Sequence, residues 1–374
     1  MRVPFVDLAA QSAEIADQVE KGFQEVISAS AFINGRPVAD FERSYAAFVD
    51  VGNCIGVANG TDALELALRG AGVTAGDEVI VQANTFIATA AAVVRLGARP
   101  VFVDMEPEHS LIDVGQVADA IGPRTRAIVP VHLYGQMAPM AELEALVRDR
   151  DDIVLVEDAA QAQGARQHGR SAGSVGVAAA TSFYPGKNLG AYGDAGAVLT
   201  NDDAIAETVR KLHDHGSRVK YEHEIVGWNS RLDTLQAVVL AAKLDRLPDW
   251  NAARRVAADR YRELLAAYDD IVVPTTAPGN EHVWHLYVVQ VPERNEVIAA
   301  LQAAGLEVGI HYPIPIHLQQ AFAGYAGGRG SFPVAEAAAD SILSLPMHPH
   351  LRPEQQEHVV TLLGEAVTRS RARL

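Results

Sequence analysis

The sequence predicts an α/β fold: a mainly parallel sheet with helices on both faces, followed by a smaller α+β unit. Two observations predict it. Between residues 54 and 156, short apolar runs (54–57, 79–81, 101–104, 127–133, 153–156) alternate with helical patterns such as 63–70 and 140–148. After a composition break at Asp245-Arg246-Leu247-Pro248, the pattern becomes helix, strand, helix and a Pro-rich strand. A chain of 374 residues that is 49% hydrophobic can fill one large core and a smaller companion, so we expect units at 1–248 and 249–374.

Taken in order, residues 1–8 are extended in character, with Pro4 among them. Residues 11–29 carry Ile15, Val19, Phe23 and Val26 at helical spacing, and a Gly/Pro-marked loop, SASAFINGRP, leads to a second amphipathic helix at 38–48. The strand 54–57 runs into Asn59-Gly60-Thr61-Asp62 and a helix. A Gly-Thr pair at such a turn directs backbone N–H groups and the positive helix end outward, which suits a phosphate. The alternative is an ordinary cap supplied by Thr61 or Asp62. Thr85 and Phe86 directly follow the strand 79–81, again at a carboxyl end, and core is the common fate of such an aromatic. In VLVEDAAQAQGA (154–165), the run ending at Val156 reads as a buried parallel strand. Glu157 and Asp158 then stand at its carboxyl end, where open α/β sheets bind ligands.

The stretch TSFYPGKNLGAYGDAG (181–196) lies between the small apolar run 175–180 and the strand-like AVLT (197–200). A helix is expected at 232–244, with Asn229 as a possible cap. In the C-terminal part, helices are expected at 251–268, 295–304 and 353–367, and strands at 282–291 and 308–317. The closing SRARL is expected to fray.

Composition narrows the function. A formal charge of −16 without a basic cluster argues against a nucleic-acid partner. Cys54 is the only cysteine, so neither an intrachain disulfide nor a thiolate metal cluster is expected. The amino terminus lacks a secretory apolar core and no run reaches the length of a membrane span, so a cytoplasmic protein without membrane contact is expected. His213-Asp214-His215 has metal-like composition but no third ligand at suitable spacing, so no metal site is expected. The spacing G-x-G-x-x-G is absent, and the lysine at 187 lacks both the upstream glycine and the following Ser/Thr of a phosphate-gripping loop.

A solvated loop lysine is the ordinary reading of Lys187, and the strand-end motif at 154–165 favours another. Lys187 sits among Gly186, Gly190, Gly193 and Gly196, and an enclosed lysine loses proton affinity and becomes a nucleophile toward aldehydes. Paired with the strand-end Asp158, it suggests pyridoxal 5'-phosphate, which needs a lysine for its aldehyde and a carboxylate for its ring nitrogen.

With these two residues in place, the ordered motifs from VPFVDL (3–8) through the N-T-F run, DAAQA, YPGKN and GWNSRLD to SLPMHPHL (344–351) resemble the DegT/StrS-type nucleotide-sugar aminotransferases. These are fold-type I pyridoxal-phosphate enzymes, with a three-layer large domain and a small C-terminal one. The resemblance implies a cofactor joined to Lys187 as a Schiff base, with Asp158 at the ring nitrogen and Phe86 on the ring face. It further implies Gln161 at the ring oxygen and Gly60, Thr61 and Ser182 at the phosphate. Asn229 is implied to reach the phosphate of the other subunit, giving a homodimer with shared active sites. Tyr221, His311, Tyr312 and His317 are candidates for substrate contact; Pro-locked structural histidines are the alternative.

The implied reaction is ping-pong transamination. L-glutamate gives its amino group, and a nucleotide-linked keto-deoxysugar receives it, a 3-keto sugar being favoured over a 4-keto sugar. An aminocyclitol aminotransferase shares these motifs and is the alternative. A related dehydratase is disfavoured because its family replaces the lysine with histidine. A catalytically silent regulatory module on the same fold is disfavoured by the joint presence of Lys187, Asp158, Phe86 and Ser182. Gln163 departs from the family pattern, where histidine is frequent, as does Ser110-Leu111.

Overall fold

The structure, a computed structural model, describes residues 1–371. Helices α1 (Leu8–Glu14), α2 (Ala16–Ala29) and α3 (Arg36–Val49) precede strand β1 (Asn53–Val57) and helix α4 (Gly60–Gly70). Then follow β2 (Glu78–Gln82), α5 (Ile87–Arg95), β3 (Arg99–Val103), α6 (Val114–Ala120), β4 (Thr125–Val129), α7 (Met140–Val147) and β5 (Val154–Asp158). Two short strands, β6 (Arg166–Gln167) and β7 (Arg170–Ser171), lead to β8 (Ala178–Ser182), β9 (Gly196–Thr200) and α8 (Asp203–Leu212). A hairpin of β10 (Ser217–Val219) and β11 (Glu222–His223) precedes α9 (Thr234–Leu244) and α10 (Leu247–Leu265). The chain ends with β12 (Asn280–Glu281), β13 (Tyr287–Gln290), α11 (Arg294–Ala303), α12 (Pro333–Ser341), β14 (Ile342–Leu345) and α13 (Pro353–Arg371).

The main sheet has seven strands in the order β1-β9-β8-β5-β4-β2-β3. Strand β9 is antiparallel to both neighbours, and all other pairings between β8 and β3 are parallel. Every strand except β9 therefore runs the same way, and the carboxyl ends of β1, β2, β5 and β8 share one edge. Alternate residues feed opposite layers, as the pleat requires. Val79, Val81, Ala127, Val129, Val156, Ala178 and Ala180 pack with the apolar faces of α4, α5 and α8. Ile80, Ile128 and Leu155 face α6 and α7, while Ala179, Ala197 and Leu199 face α3 and α9. These small and β-branched residues let helices approach both faces closely, and the result is the three-layer α/β architecture expected.

A separate core gathers Ala257, Tyr261, Tyr287, Leu301, Leu345 and Leu363 from α10, α11, α13 and the antiparallel pair β13–β14. Val3 is buried in this same cluster, so the first residues of the chain are stitched to the C-terminal unit. We propose that the units divide at 248/249, within the first turn of α10, with this N-terminal strap crossing over. Residues 372–374 of the second unit lie outside the described residues.

The structure corrects several local expectations. Residues 308–317 form no strand; Gly309 makes one bridge to Ser344, Pro313 and Pro315 carry no N–H for a ladder, and a single 3-10 turn begins at Ile316. The N-terminal helical pattern is two helices that meet at Ile15, and the first begins at Leu8. Only Tyr287–Gln290 of the 282–291 run is strand. The hairpin at 217–223 had no clear signal. Of the SRARL expected to fray, Ser370 and Arg371 are still in α13, and residues 372–374 are outside the described residues.

Candidate active site

Four strand ends converge on the shared edge. From β1 the chain turns through Asn59 into α4, and the Asn59 side chain accepts from the Asp62 N–H at 2.8 Å. Asn59 is thus the cap, not Thr61 or Asp62. The N–H groups of Gly60 and Thr61 begin the helix, where no intrahelical acceptor exists for them. Gly60 is pressed against β8: a Cβ there would lie 2.5 Å from Ser182 Cβ and 3.0 Å from its Oγ. The result is a cradle of two amides and one hydroxyl at a positive helix end. Ser230 braces it, donating to Asp62 Oδ2 at 2.8 Å and accepting from Ala58 N–H at 3.2 Å.

At the end of β5, Asp158 is 5% exposed. Burial pushes its carboxyl above the usual range, opposed by the Thr89 hydroxyl, the Ala160 N–H and the charges of Lys187 and His132. Thr89 Oγ1 donates to Asp158 Oδ2 at 2.8 Å, and Ala160 N–H to Oδ1 at 3.2 Å. The neighbouring Glu157 points to the opposite layer. There it receives N–H bonds from Gly173, Val175 and Gly176 and contacts His132 Nε2 at 2.7 Å.

After β8 the chain folds into a tight loop carrying Lys187, whose N–H donates to Tyr184 O at 2.8 Å. None of its four glycines needs a left-handed backbone. Gly190 is required instead by close approach, because a Cβ would lie 2.3 Å from the Pro185 carbonyl oxygen. Asn188 anchors the loop, donating to Asn251 Oδ1 and to Val283 O, each at 2.9 Å. Burial pushes the Lys187 amine down to about 8, with the Asp158 charge opposing. The two feel each other's charge yet make no ion pair among the described residues, as groups on either side of a ligand would.

Phe86 closes one side, half exposed, with its ring centroid 5.4 Å from that of Tyr312. Gln161 accepts from the Tyr134 N–H at 2.7 Å and donates to Tyr312 Oη at 3.0 Å, leaving one amide hydrogen without an acceptor among the described residues. His311 is held down at about 4 by burial, with the Lys187 charge adding to the shift. Tyr312 and His311 are thereby brought to the site. His317 is not: it is buried, contacts Glu336 Oε1 at 2.9 Å and stacks edgewise on Phe332. Tyr221 stands 81% exposed at the tip of the β10–β11 hairpin. Asn229 is exposed and does not cap α9, whose cap position is Asp233.

Sequence reasoning missed Thr89, His285 and Tyr134. Burial, with the Lys187 charge next, holds the His285 imidazole well below its usual range, and its Nδ1 meets Asn188 Oδ1 at 3.2 Å. The available signal for Thr89 was its place one helical turn after Phe86. Among the described residues, no group of three or more His, Cys, Asp or Glu is arranged to hold a metal ion. Nor is any helix long and apolar enough to cross a membrane.

Residues 13–364 match the DegT/DnrJ/EryC1/StrS aminotransferase family. The chain belongs to this family. It is 46% identical to the dTDP-3-amino-3,4,6-trideoxy-alpha-D-glucose transaminase of Streptomyces venezuelae, over 97% of this chain and 96% of that one. It is 45% identical to a Geobacillus stearothermophilus protein named a pleiotropic regulatory protein, over 98% of each. The crystal structure of S. venezuelae DesV in complex with a ketimine intermediate superposes with a TM-score of 0.94 at 46% identity, over 97% of this chain and 98% of that one. NtdA from Bacillus subtilis with bound cofactor PMP does so at 0.90 and 30% identity, over 98% and 85%.

The residues present fit a flat, anionic pyridine cofactor. A half-buried amine and a buried carboxyl lie at one sheet edge without an ion pair between them among the described residues, and a helix-end cradle that a Cβ at Gly60 would fill adjoins them.

Proposed function

We propose that this protein is a pyridoxal-phosphate-dependent aminotransferase that transfers the amino group of L-glutamate to a nucleotide-linked keto-deoxysugar, at carbon 3 rather than carbon 4. The observation that carries the reading is the pair formed by Lys187, whose amine is pushed down to about 8, and the Thr89-bonded Asp158. When bound, the cofactor supplies an electron sink that allows a Cα–H bond of the amino donor to break.

The residues divide the remaining work. Lys187 Nζ holds the cofactor and, once freed, takes the proton from the donor Cα; an amine at about 8 is available for this near neutral pH. Asp158 keeps the ring nitrogen protonated. Gly60 and Thr61 N–H and Ser182 Oγ bind the phosphate, Phe86 covers the ring, and the remaining Gln161 amide hydrogen serves the ring oxygen. His311 and Tyr312 face the sugar.

The assembly we propose is a cytoplasmic homodimer in which Asn229 and Tyr221 act on the second copy's site. Their exposure supports this, as does that of Phe32, Ile33 and Val226, apolar groups that a second copy would cover. Support for carbon 3 comes from the S. venezuelae relative and from others at 42–45% identity whose names carry a 3-amino, 3-oxo or 3-dehydro sugar.

The test is incubation of the loaded protein with L-glutamate and then with 3-keto and 4-keto sugars linked to dTDP or UDP, locating new nitrogen by NMR. Glutamate-dependent amination at carbon 3 is expected. Failure of glutamate to change the cofactor absorbance would defeat the aminotransferase reading, and amination only at carbon 4 would defeat the positional one.

A further inference from the structure

Three threonines on exposed or half-exposed faces, beyond the first turn of their helices, keep their hydroxyl bonds local. Thr208, Thr361 and Thr368 each donate to the carbonyl four residues back, at 2.8, 2.8 and 2.9 Å. Thr89, in the first turn of α5, does not. Its hydroxyl leaves the helix and donates to Asp158 Oδ2 across the strand–helix boundary at 2.8 Å. A hydroxyl has one proton, so the contact of 3.2 Å between Thr89 Oγ1 and Thr85 Oγ1 is one in which Thr85 donates. Thr85 and Thr89 are both buried, at 3% and 0% exposure, so water does not substitute for either bond. The two hydroxyls form a directed chain, Thr85 to Thr89 to Asp158, and they flank Phe86 in sequence.

We infer that Thr89, backed by Thr85, is a positioning residue that fixes the rotamer and negative charge of Asp158, and through it the protein's preference for a ring nitrogen at this place. Asp158 has two oxygens and little contact with water. Oδ2 is committed to Thr89 and Oδ1 is bonded to the Ala160 N–H at 3.2 Å, so the carboxyl plane is set by two donors on different elements. Hydrogen bonds donated to a carboxylate stabilise its charged form, and a buried carboxylate deprived of one retains a proton more readily. A carboxyl that holds its own proton has lost its advantage toward a protonated ring nitrogen. The turn that presents Phe86 to the ring face thus also sets the group at the ring edge, and one short helix start governs two contacts with the same ligand.

This inference rests on the reading proposed above, and binding measurements separate the two. Apo-protein is titrated with pyridoxal phosphate and with the analogue in which carbon replaces the ring nitrogen, and the ratio of the two Kd values is the readout. Wild type is expected to prefer the nitrogen-containing ligand. Thr89→Val, close in shape but without the hydroxyl, is expected to shrink that preference by about 10- to 100-fold, the worth of a hydrogen bond to a charged group. Thr89→Ser is expected to restore it to within about threefold. If the valine variant does not fold, Thr89→Ala, which cannot clash, carries the same readout. Thr89 variants that weaken both ligands equally and leave the ratio unchanged would overturn the inference while leaving the proposed function standing. A wild type that binds both ligands equally would overturn the assignment of Asp158 and the inference with it.

Discussion

Protonating the Lys187 amine is where the account is most exposed to measurement. An unperturbed lysine side chain titrates at 10.5, and burial brings this one to about 8. At pH 7.5 about a quarter of such an amine is neutral, against about one part in a thousand for a solvated one, a gain of roughly 200-fold in nucleophile. The sign of each contribution is fixed by geometry: loss of water disfavours the ammonium, and the Asp158 charge favours it. Asp158→Asn should therefore move the titration further down. The chain has five lysines, at 21, 187, 211, 220 and 243, so apo-protein labelled with carbon-13 at the lysine ε position gives five signals. Lys187→Arg identifies the relevant one. A midpoint near 8 that falls in the Asp158→Asn protein agrees with the account; a midpoint near 10.5, or an upward move in the variant, refutes it.

Three further outcomes are expected. Gly60→Ala puts a Cβ 2.5 Å from Ser182 Cβ, where ordinary contact begins at 3.4 Å. It should raise the Kd for pyridoxal phosphate by about 5- to 150-fold, for an overpacking cost of about 1–3 kcal/mol, read by fluorescence titration. Glu157→Gln sets an amide N–H against a site built from backbone donors and should destabilise by about 3–5 kcal/mol in urea unfolding. Burial pushes the Glu157 carboxyl up, but the His132 and backbone contacts outweigh it and hold it below 4.5. Its stabilisation is accordingly present above that pH and lost as pH falls through the lower folded value, so wild type and variant should converge in acid. His317→Ala should leave the glutamate half-reaction within about threefold while lowering stability by about 1–3 kcal/mol, since its partner is Glu336 and not the site.

Residues that combine special chemistry with a strand end were legible in the sequence. Asp158 closes an apolar run, and Lys187 interrupts a stretch where glycines announce close packing, so both could be placed before any coordinates. Thr89 could not, because a threonine in a helical pattern can bond locally, and only the approach of β5 to α5 shows that its hydroxyl goes to Asp158. Gln163 looked like a departure of uncertain meaning. In the fold its amide nitrogen, with two hydrogens to share, lies 2.8 to 3.1 Å from Thr181 Oγ1, Ser182 O and Ala160 O, bracing the strand that carries Ser182. The 308–317 segment misled because its apolar residues alternate as in a strand, whereas its prolines leave too few N–H groups for a ladder. His317 was drawn toward the site by sequence proximity to His311 and Tyr312, and a buried glutamate six residues beyond Gly330 took it elsewhere.

Reduction of the pyridoxal-phosphate-loaded protein with borohydride, followed by peptide mass mapping, bears on the pairing of Lys187 with Asp158 most directly. Burial alone does not choose the lysine: Lys243 is also pushed down to about 8, but it faces the Tyr192 ring at 5.0 Å, with no carboxylate partner among the described residues. The account predicts one phosphopyridoxyl group per chain, on Lys187. A label on Lys243, or no stable label at all, would contradict it.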